Sequence, residues 1–163
     1  MSAPVDLAAV VRALPCFCEL APAEIDALAA SLLVLDHEAG QVLIREGDRA
    51  DGVYLVILGE VSVGRQRGGT YEEINRLTSG DLFGLVALVD DGPRSATCQA
   101  ATAVTVGSLP RNVFSLLFNA HAPIGLAFQR GLCAQLARDF RHLDHQIQQA
   151  LAMAAESDSG PPR

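Results

Sequence analysis

Apolar side chains recur at helical spacing from Val5 to Leu14 and again from Pro22 to Leu33, which predicts two amphipathic helices. Pro22 followed by Ala23-Glu24 puts proline and an acid in a first turn, where helix starts accept both. From Leu33 to about Leu109 the period drops to two, in short runs broken by glycine. Strands are predicted over Leu33–His37, Gln41–Arg45, Val53–Gly59, Val61–Gln66, Glu72–Leu77, Ser95–Ala100 and Val104–Pro110. Their turns are Glu38-Ala39-Gly40, Gly47-Asp48, Gly68-Gly69 and Ser79-Gly80-Asp81. Short strands at this spacing point to a jelly-roll or barrel.

A short helix is predicted over Asn112–Phe118, and Pro123 opens a longer one to about Ala155. The apolar stripe of that helix is Ile124, Phe128, Leu132, Leu136, Phe140, Leu143, Ile147 and Leu151. It is longer than one small β-roll covers, so part of it is expected to meet a second subunit. The composition of 156–163, with serine, glycine and two prolines, reads as a disordered tail. The expected fold class is α+β, one domain over 1–155. In it an antiparallel β-roll over about 33–110 is flanked by N-terminal helices and a C-terminal helix over about 123–155.

Composition narrows the function classes. Of 163 residues 50% are hydrophobic, yet no apolar run approaches the ~20 residues of a membrane span. The N-terminus lacks the grammar of a signal peptide, so no membrane association and a cytoplasmic address are expected. A net charge of −7 argues against the broad basic face that direct nucleic-acid binding needs. The 12 basic residues are all arginine. Cys16, Cys18, Cys98 and Cys133 lie in apolar contexts and are expected as buried free thiols. His142 and His145 stand i,i+3 with no further ligand beside them, and His37 and His121 stand apart, so no metal site is expected. No nucleophile–histidine–acid motif is present. The expectation is a non-catalytic chain with no catalytic residues and no cofactor.

Three segments carry a family resemblance. Gly80-Asp81-Leu82-Phe83-Gly84-Leu85-Val86-Ala87-Leu88, followed by Pro93-Arg94-Ser95-Ala96-Thr97, resembles the phosphate-binding cassette of cyclic-nucleotide-binding domains. Glu46-Gly47-Asp48 and Tyr54-Leu55-Val56-Ile57-Leu58-Gly59-Glu60-Val61 resemble that family's strand–turn–strand. Cys133-Ala134-Gln135-Leu136-Ala137-Arg138 resembles the dimer helix of bacterial catabolite-activator proteins. A weaker likeness, Leu14-Pro15-Cys16-Phe17, resembles the hinge before the β-roll. The resemblance spans roughly Leu14 to Leu151.

The resemblance implies a ligand site at Phe83, Gly84, Leu85, Val86, Arg94, Ser95 and Ala96, with cyclic AMP the first candidate or another cyclic nucleotide in its place. Arg94 would fork onto the phosphate, beside helix amides that favour an anion. Gly84 would let the backbone approach, and Ser95 would face a phosphate oxygen or the next strand. Leu85 departs from the pattern, standing where the family has the glutamate that holds the ribose 2′-hydroxyl. In the register of the long helix, Asp139, Leu143 and Asp144 likewise replace ligand-contacting residues.

Two functions follow. One is a regulatory or sensor domain that binds a cyclic nucleotide or related phosphate ligand and relays it through the C-terminal helix. The other is a module of the same fold that no longer binds cyclic nucleotide and serves in dimerisation or partner docking. An acidic partner for Arg94 would separate them, and Asp139 is a candidate. The expected partners are a second copy of the chain and an unidentified protein effector. Bacterial regulators of this type continue into a helix-turn-helix domain. With the chain ending at Arg163, the expectation is a freestanding sensor or a piece of something longer. Arg65, Arg67 and Arg76 read as a solvated group or a docking surface, and Asp90-Asp91 as a solvated turn.

Overall fold

The computed structural model describes residues 6–15, 17–119 and 123–158. Helices α1 (Leu7–Ala13) and α2 (Pro22–Ala30) come first. Asp6 caps α1 by accepting the Ala9 amide at 3.1 Å. At α2 the Glu24 carboxylate reaches back to the Ala21 amide at 2.9 Å. Each bond satisfies an amide that the first helical turn leaves without a partner.

Eight strands follow: β1 (Leu33–His37), β2 (Val42–Ile44), β3 (Gly52–Leu58), β4 (Val61–Arg67), β5 (Thr70–Leu77), β6 (Leu82–Phe83), β7 (Thr97–Ala100) and β8 (Val104–Pro110). They form two four-stranded sheets, ordered β1-β8-β3-β6 and β2-β7-β4-β5, with every strand pair antiparallel. The short helix α3 (Val86–Val89) follows β6, and α4 (Arg111–Asn119) and α5 (Pro123–Asp158) close the chain. The expected α+β class and antiparallel roll with flanking helices are what the chain adopts.

Strand β3 explains why the roll needs helices on one side. Val53 and Leu55 join a core with Val11, Phe17, Ile25, Phe114 and Phe128 from the helices. The alternate residues Tyr54 and Val56 join a second core inside the roll, with Val61, Leu77, Phe83, Cys98 and Val106. Because successive strand side chains face opposite ways, a strand buried on both faces must be apolar throughout. The run Gly52-Val53-Tyr54-Leu55-Val56-Ile57-Leu58 meets that demand.

Gly59 ends β3 with φ +83°, and a Cβ there would lie 2.3 Å from the Ala103 carbonyl. Both the conformation and the close approach require glycine.

Several expectations shift in detail. β5 starts earlier, at Thr70, so the hairpin turn is the tight Gly68-Gly69 pair with β4 running to Arg67. β7 starts at Thr97, leaving Ser95 outside the strand. The two-residue β6 is too short to show a period. Helix α5 runs to Asp158, so the tail expected over 156–163 is still helical at 156–158, and 159–163 lie outside the described residues. Cys18 and Cys133 are exposed and only Cys98 of the described cysteines is buried, which corrects the expectation of buried thiols. Cys16 and His121 fall outside the described residues.

Candidate ligand-binding site

All seven residues expected at the site line one cavity of about 140 Å³, between the β6–β7 segment, sheet strands β2, β4 and β5, and helix α5. Its centre is Arg94. With only 3% exposure it is the one charged side chain that is fully buried among the described residues. A buried guanidinium must find acceptors, and Arg94 finds three. Nη1 donates to the Gly84 carbonyl at 2.7 Å, and Nη2 donates to Asp51 Oδ1 at 2.7 Å and to the Gly52 carbonyl at 2.8 Å. Its Cζ also stands 5.7 Å from the centre of the Tyr54 ring, within cation–π range. These three bonds occupy three of the guanidinium's five donors.

The acidic partner is therefore Asp51, and the candidate Asp139 is corrected. Asp139 accepts instead from Gln135 Nε2 at 3.0 Å. Asp51 is 75% exposed, and it holds a second donor, the Tyr54 hydroxyl at 3.1 Å. Burial and the neighbouring Asp51 charge push the Tyr54 phenol above its ordinary range, so it stays a donor to that carboxylate. Sequence reasoning missed Asp51. Its signal is weak, because the Asp48-Arg49-Ala50-Asp51-Gly52 run reads as a polar turn and only the fold brings it to Arg94.

Gly84 takes φ +78°, and a Cβ there would lie 2.5 Å from Arg94 Nη1. The glycine is therefore required by the arginine as well as by the turn. Beyond it the chain enters α3. The amides of Leu85, Val86 and Ala87 stand at the start of this helix, where no intrahelical acceptor exists. Leu85, Val86 and Ala87 are among the residues that line the cavity with Arg94.

Leu85 is 4% exposed and belongs to the helix-side core. Val86 is exposed, Ser95 is exposed, and Ala96 is half-buried. The Ser95 carbonyl accepts from Arg65 Nε at 3.2 Å. Phe83 stacks on Tyr54 with ring centres 5.2 Å apart, which stiffens the strand pair beneath Arg94.

Helix α5 closes the far side through Leu132, Gln135, Leu136 and Asp139. Gln135 is buried, and its carbonyl oxygen accepts from Arg138 while its amide serves Asp139. Asn75 of β5 and Cys98 of β7 complete the polar edge. Burial pushes the Cys98 thiol up to about 12 against a weaker opposing pull from Arg94. A thiol held neutral in this way is no nucleophile at neutral pH.

The other charged groups singled out in the sequence lie elsewhere. Arg65, Arg67 and Arg76 pair on the surface with Glu46, Glu72, and with Glu60 and Glu73 respectively. Asp91, at φ +55°, pairs with Arg111. His142 and His145 contact Gln146 and Gln149 along α5. Among the described residues, no cluster of metal-ligating side chains forms and no helix is long and apolar enough to cross a membrane.

Comparison with known proteins places this arrangement. The family described as the cyclic nucleotide-binding domain matches residues 34–121, and the chain belongs to that family. It is 36% identical over 109 residues to a cAMP-dependent protein kinase regulatory subunit of Emericella nidulans, a match covering 67% of this chain and 26% of that protein. The chain thus corresponds to about a quarter of the length of that relative. The structure of the Thermus thermophilus catabolite activator protein superposes with a TM-score of 0.70 at 30% identity, covering 83% of this chain and 62% of the other. A cyclic nucleotide-binding domain from Methylobacillus flagellatus shares the fold at a TM-score of 0.76 and 23% identity, covering 88% of this chain and 82% of the other.

Proposed function

We propose that this chain is a non-catalytic regulatory domain that binds a cyclic nucleotide, with cyclic AMP the first candidate, and relays occupancy through α5. The observation that carries the reading is the buried Arg94 and the Gly84–Ala87 segment meeting at one cavity, beneath a helix that supplies its far wall. A cyclic phosphodiester carries a single negative charge. A buried guanidinium with three of its five donors engaged suits it. Relatives whose names describe kinase regulation and catabolite activation support the regulatory role. The stripe on the outer half of α5 suits a second copy of the chain, and a protein effector would read the movement of that helix.

One observation favours the second reading, a cassette that no longer takes ligand. Arg94 is already satisfied by Asp51 and two carbonyls, and Leu85 is committed to the core.

Calorimetric titration of the wild type and Arg94→Ala with cyclic AMP, cyclic GMP and cyclic dinucleotides separates the two. Under the first reading one of these ligands binds. At a hundredfold excess over its dissociation constant it stabilises the fold by about 2.7 kcal/mol, and Arg94→Ala abolishes both effects. Under the second, no ligand binds and Arg94→Ala mainly lowers stability. Binding that survives unchanged in Arg94→Ala overturns the placement of the site.

A further inference from the structure

We propose that β1 is a docking edge, at which an extended basic and apolar segment of a partner protein adds as a fifth strand to its sheet. A strand at the edge of a sheet carries unpaired amides and carbonyls, and proteins normally disarm it by shortness, bulges, charges or a covering element. The described strands leave four such edges, β1 and β6 in one sheet and β2 and β5 in the other. Three of them are disarmed. β6 spans two residues. β2 spans three, and its register shifts between Val42 and Ile44. β5 carries Glu72, Glu73 and Arg76, and Gln146 of α5 donates to its Ile74 carbonyl at 3.3 Å.

β1 is left open. Its five residues pair with β8 in an unbroken register, and it holds no proline, lysine or arginine. Leu33, Val34 and Leu35 are all exposed, Leu33 by 56%. Because successive side chains point to opposite faces, apolar surface lies open on both sides of this edge. Its one acid, Asp36, is tied back by the Thr105 hydroxyl, which donates to Oδ1 at 2.6 Å.

Charge decides the occupant. Across 32–44 Asp36 and the exposed Glu38 are the only acids, no arginine accompanies them, and β8 carries neither type. A second copy would bring the same acids to this edge, on a chain whose net charge is already −7, and like charges repel. A segment with cations opposite Asp36 and Glu38 gains cross-strand attraction instead. In strand addition the main chain supplies affinity and the side chains select the partner. None of the residues lining the ligand cavity comes from β1 or β8, so a strand docked here leaves the cavity open.

The test follows the amide signals of the isotope-labelled intact chain as a synthetic peptide, Arg-Thr-Arg-Val-Val-Val, is added to millimolar concentration. In antiparallel pairing, the more stable arrangement, its arginines fall opposite Glu38 and Asp36 and its valines opposite Leu35, Val34 and Leu33. Shifts are expected over 33–38 and in β8, with Glu-Thr-Glu-Val-Val-Val binding about tenfold more weakly or worse. Leu35→Lys puts a cation on the edge and should abolish the shifts. If that variant fails to fold, Glu38→Arg decides, since Glu38 is exposed and outside both cores. It should weaken the arginine peptide and strengthen the glutamate one. No shift over 33–38 with the arginine peptide, or equal binding of the two peptides, overturns the proposal. Self-association of the wild type that Leu35→Lys disperses would assign the edge to a second copy and overturn it equally.

Discussion

Arg94 is held in place before any ligand arrives, and the residue that makes this possible is Gly84. Its missing Cβ leaves room for Nη1, and its positive φ turns its carbonyl toward that same nitrogen. In Gly84→Ala the new methyl would meet the guanidinium, and the backbone would have to hold a left-handed conformation costing about 1–2 kcal/mol. We expect chemical denaturation to show a loss of at least that size, with cyclic-nucleotide affinity falling in step because the arginine is displaced.

Cys98 offers a second check on the cavity. Its raised pKa means that the folded state keeps the thiol protonated where the unfolded chain would ionise. The stability it lends is fully present below the ordinary thiol range and is lost as pH climbs from about 9 toward about 12. At pH 8, alkylation followed by peptide mapping should label exposed Cys18 and Cys133 and spare Cys98 until denaturant is added. The cassette residues themselves were legible in the sequence, because Phe83-Gly84 and Pro93-Arg94 keep a recognisable spacing. Asp51 was not, since a carboxylate with most of its surface in water leaves no mark of its role in the order of residues.

Among the elements, strands punctuated by glycine were readable and the connections that hold them were less so. β3 shows as an unbroken apolar run because both of its faces are buried. The brief β6 depends instead on pairing with β3 from earlier in the chain, whereas the start of β5 at Thr70 is set by its hairpin with β4. Arg111, the first residue of α4, shows what such pairing adds. Its Nε donates to the Ala50 carbonyl at 3.2 Å, Nη1 to Asp91 Oδ1 at 2.7 Å and Nη2 to the Ala87 carbonyl at 3.3 Å, while its amide bonds the Asp51 carbonyl at 2.8 Å. One side chain thus joins α4, the cassette helix α3 and the loop before β3. The same loop offers Asp51 and Gly52 to Arg94.

Arg111→Ala leaves two carbonyls without that donor and frees the cassette from α4. A loss of about 1–2 kcal/mol is expected, with hydrogen exchange accelerated over 86–91 more than in the roll. Arg111→Lys should restore little, because an ammonium cannot reach three acceptors with the planar fork of a guanidinium.

For the whole molecule, α5 is the part that the fold leaves incomplete. Its 36 residues extend about 54 Å, and Gln146 still reaches the roll by donating to the Ile74 carbonyl at 3.3 Å. Ile124, Phe128 and Leu132 are buried against the helices and β3, whereas Leu136, Phe140, Leu143, Ile147 and Leu151 are exposed, Phe140 by 71%. A solvated helical extension with an apolar stripe gains little from propensity alone and is normally stabilised by packing. A second copy can supply that packing, since a two-fold axis lets one stripe cover its own image. Sedimentation at micromolar concentration is expected to give a dimer. Leu143→Glu combined with Ile147→Glu should give a monomer whose roll melts as before, because neither side chain contributes to either core. Leu136 lies on the stripe and also on the cavity wall. In such a dimer, whatever fills the cavity would touch the surface on which the copies meet, and linkage then requires the dimer constant to shift with ligand by the same factor as ligand affinity shifts with dimerisation. A wild-type monomer that stays monomeric with and without cyclic nucleotide would overturn both the dimer and this route of relay.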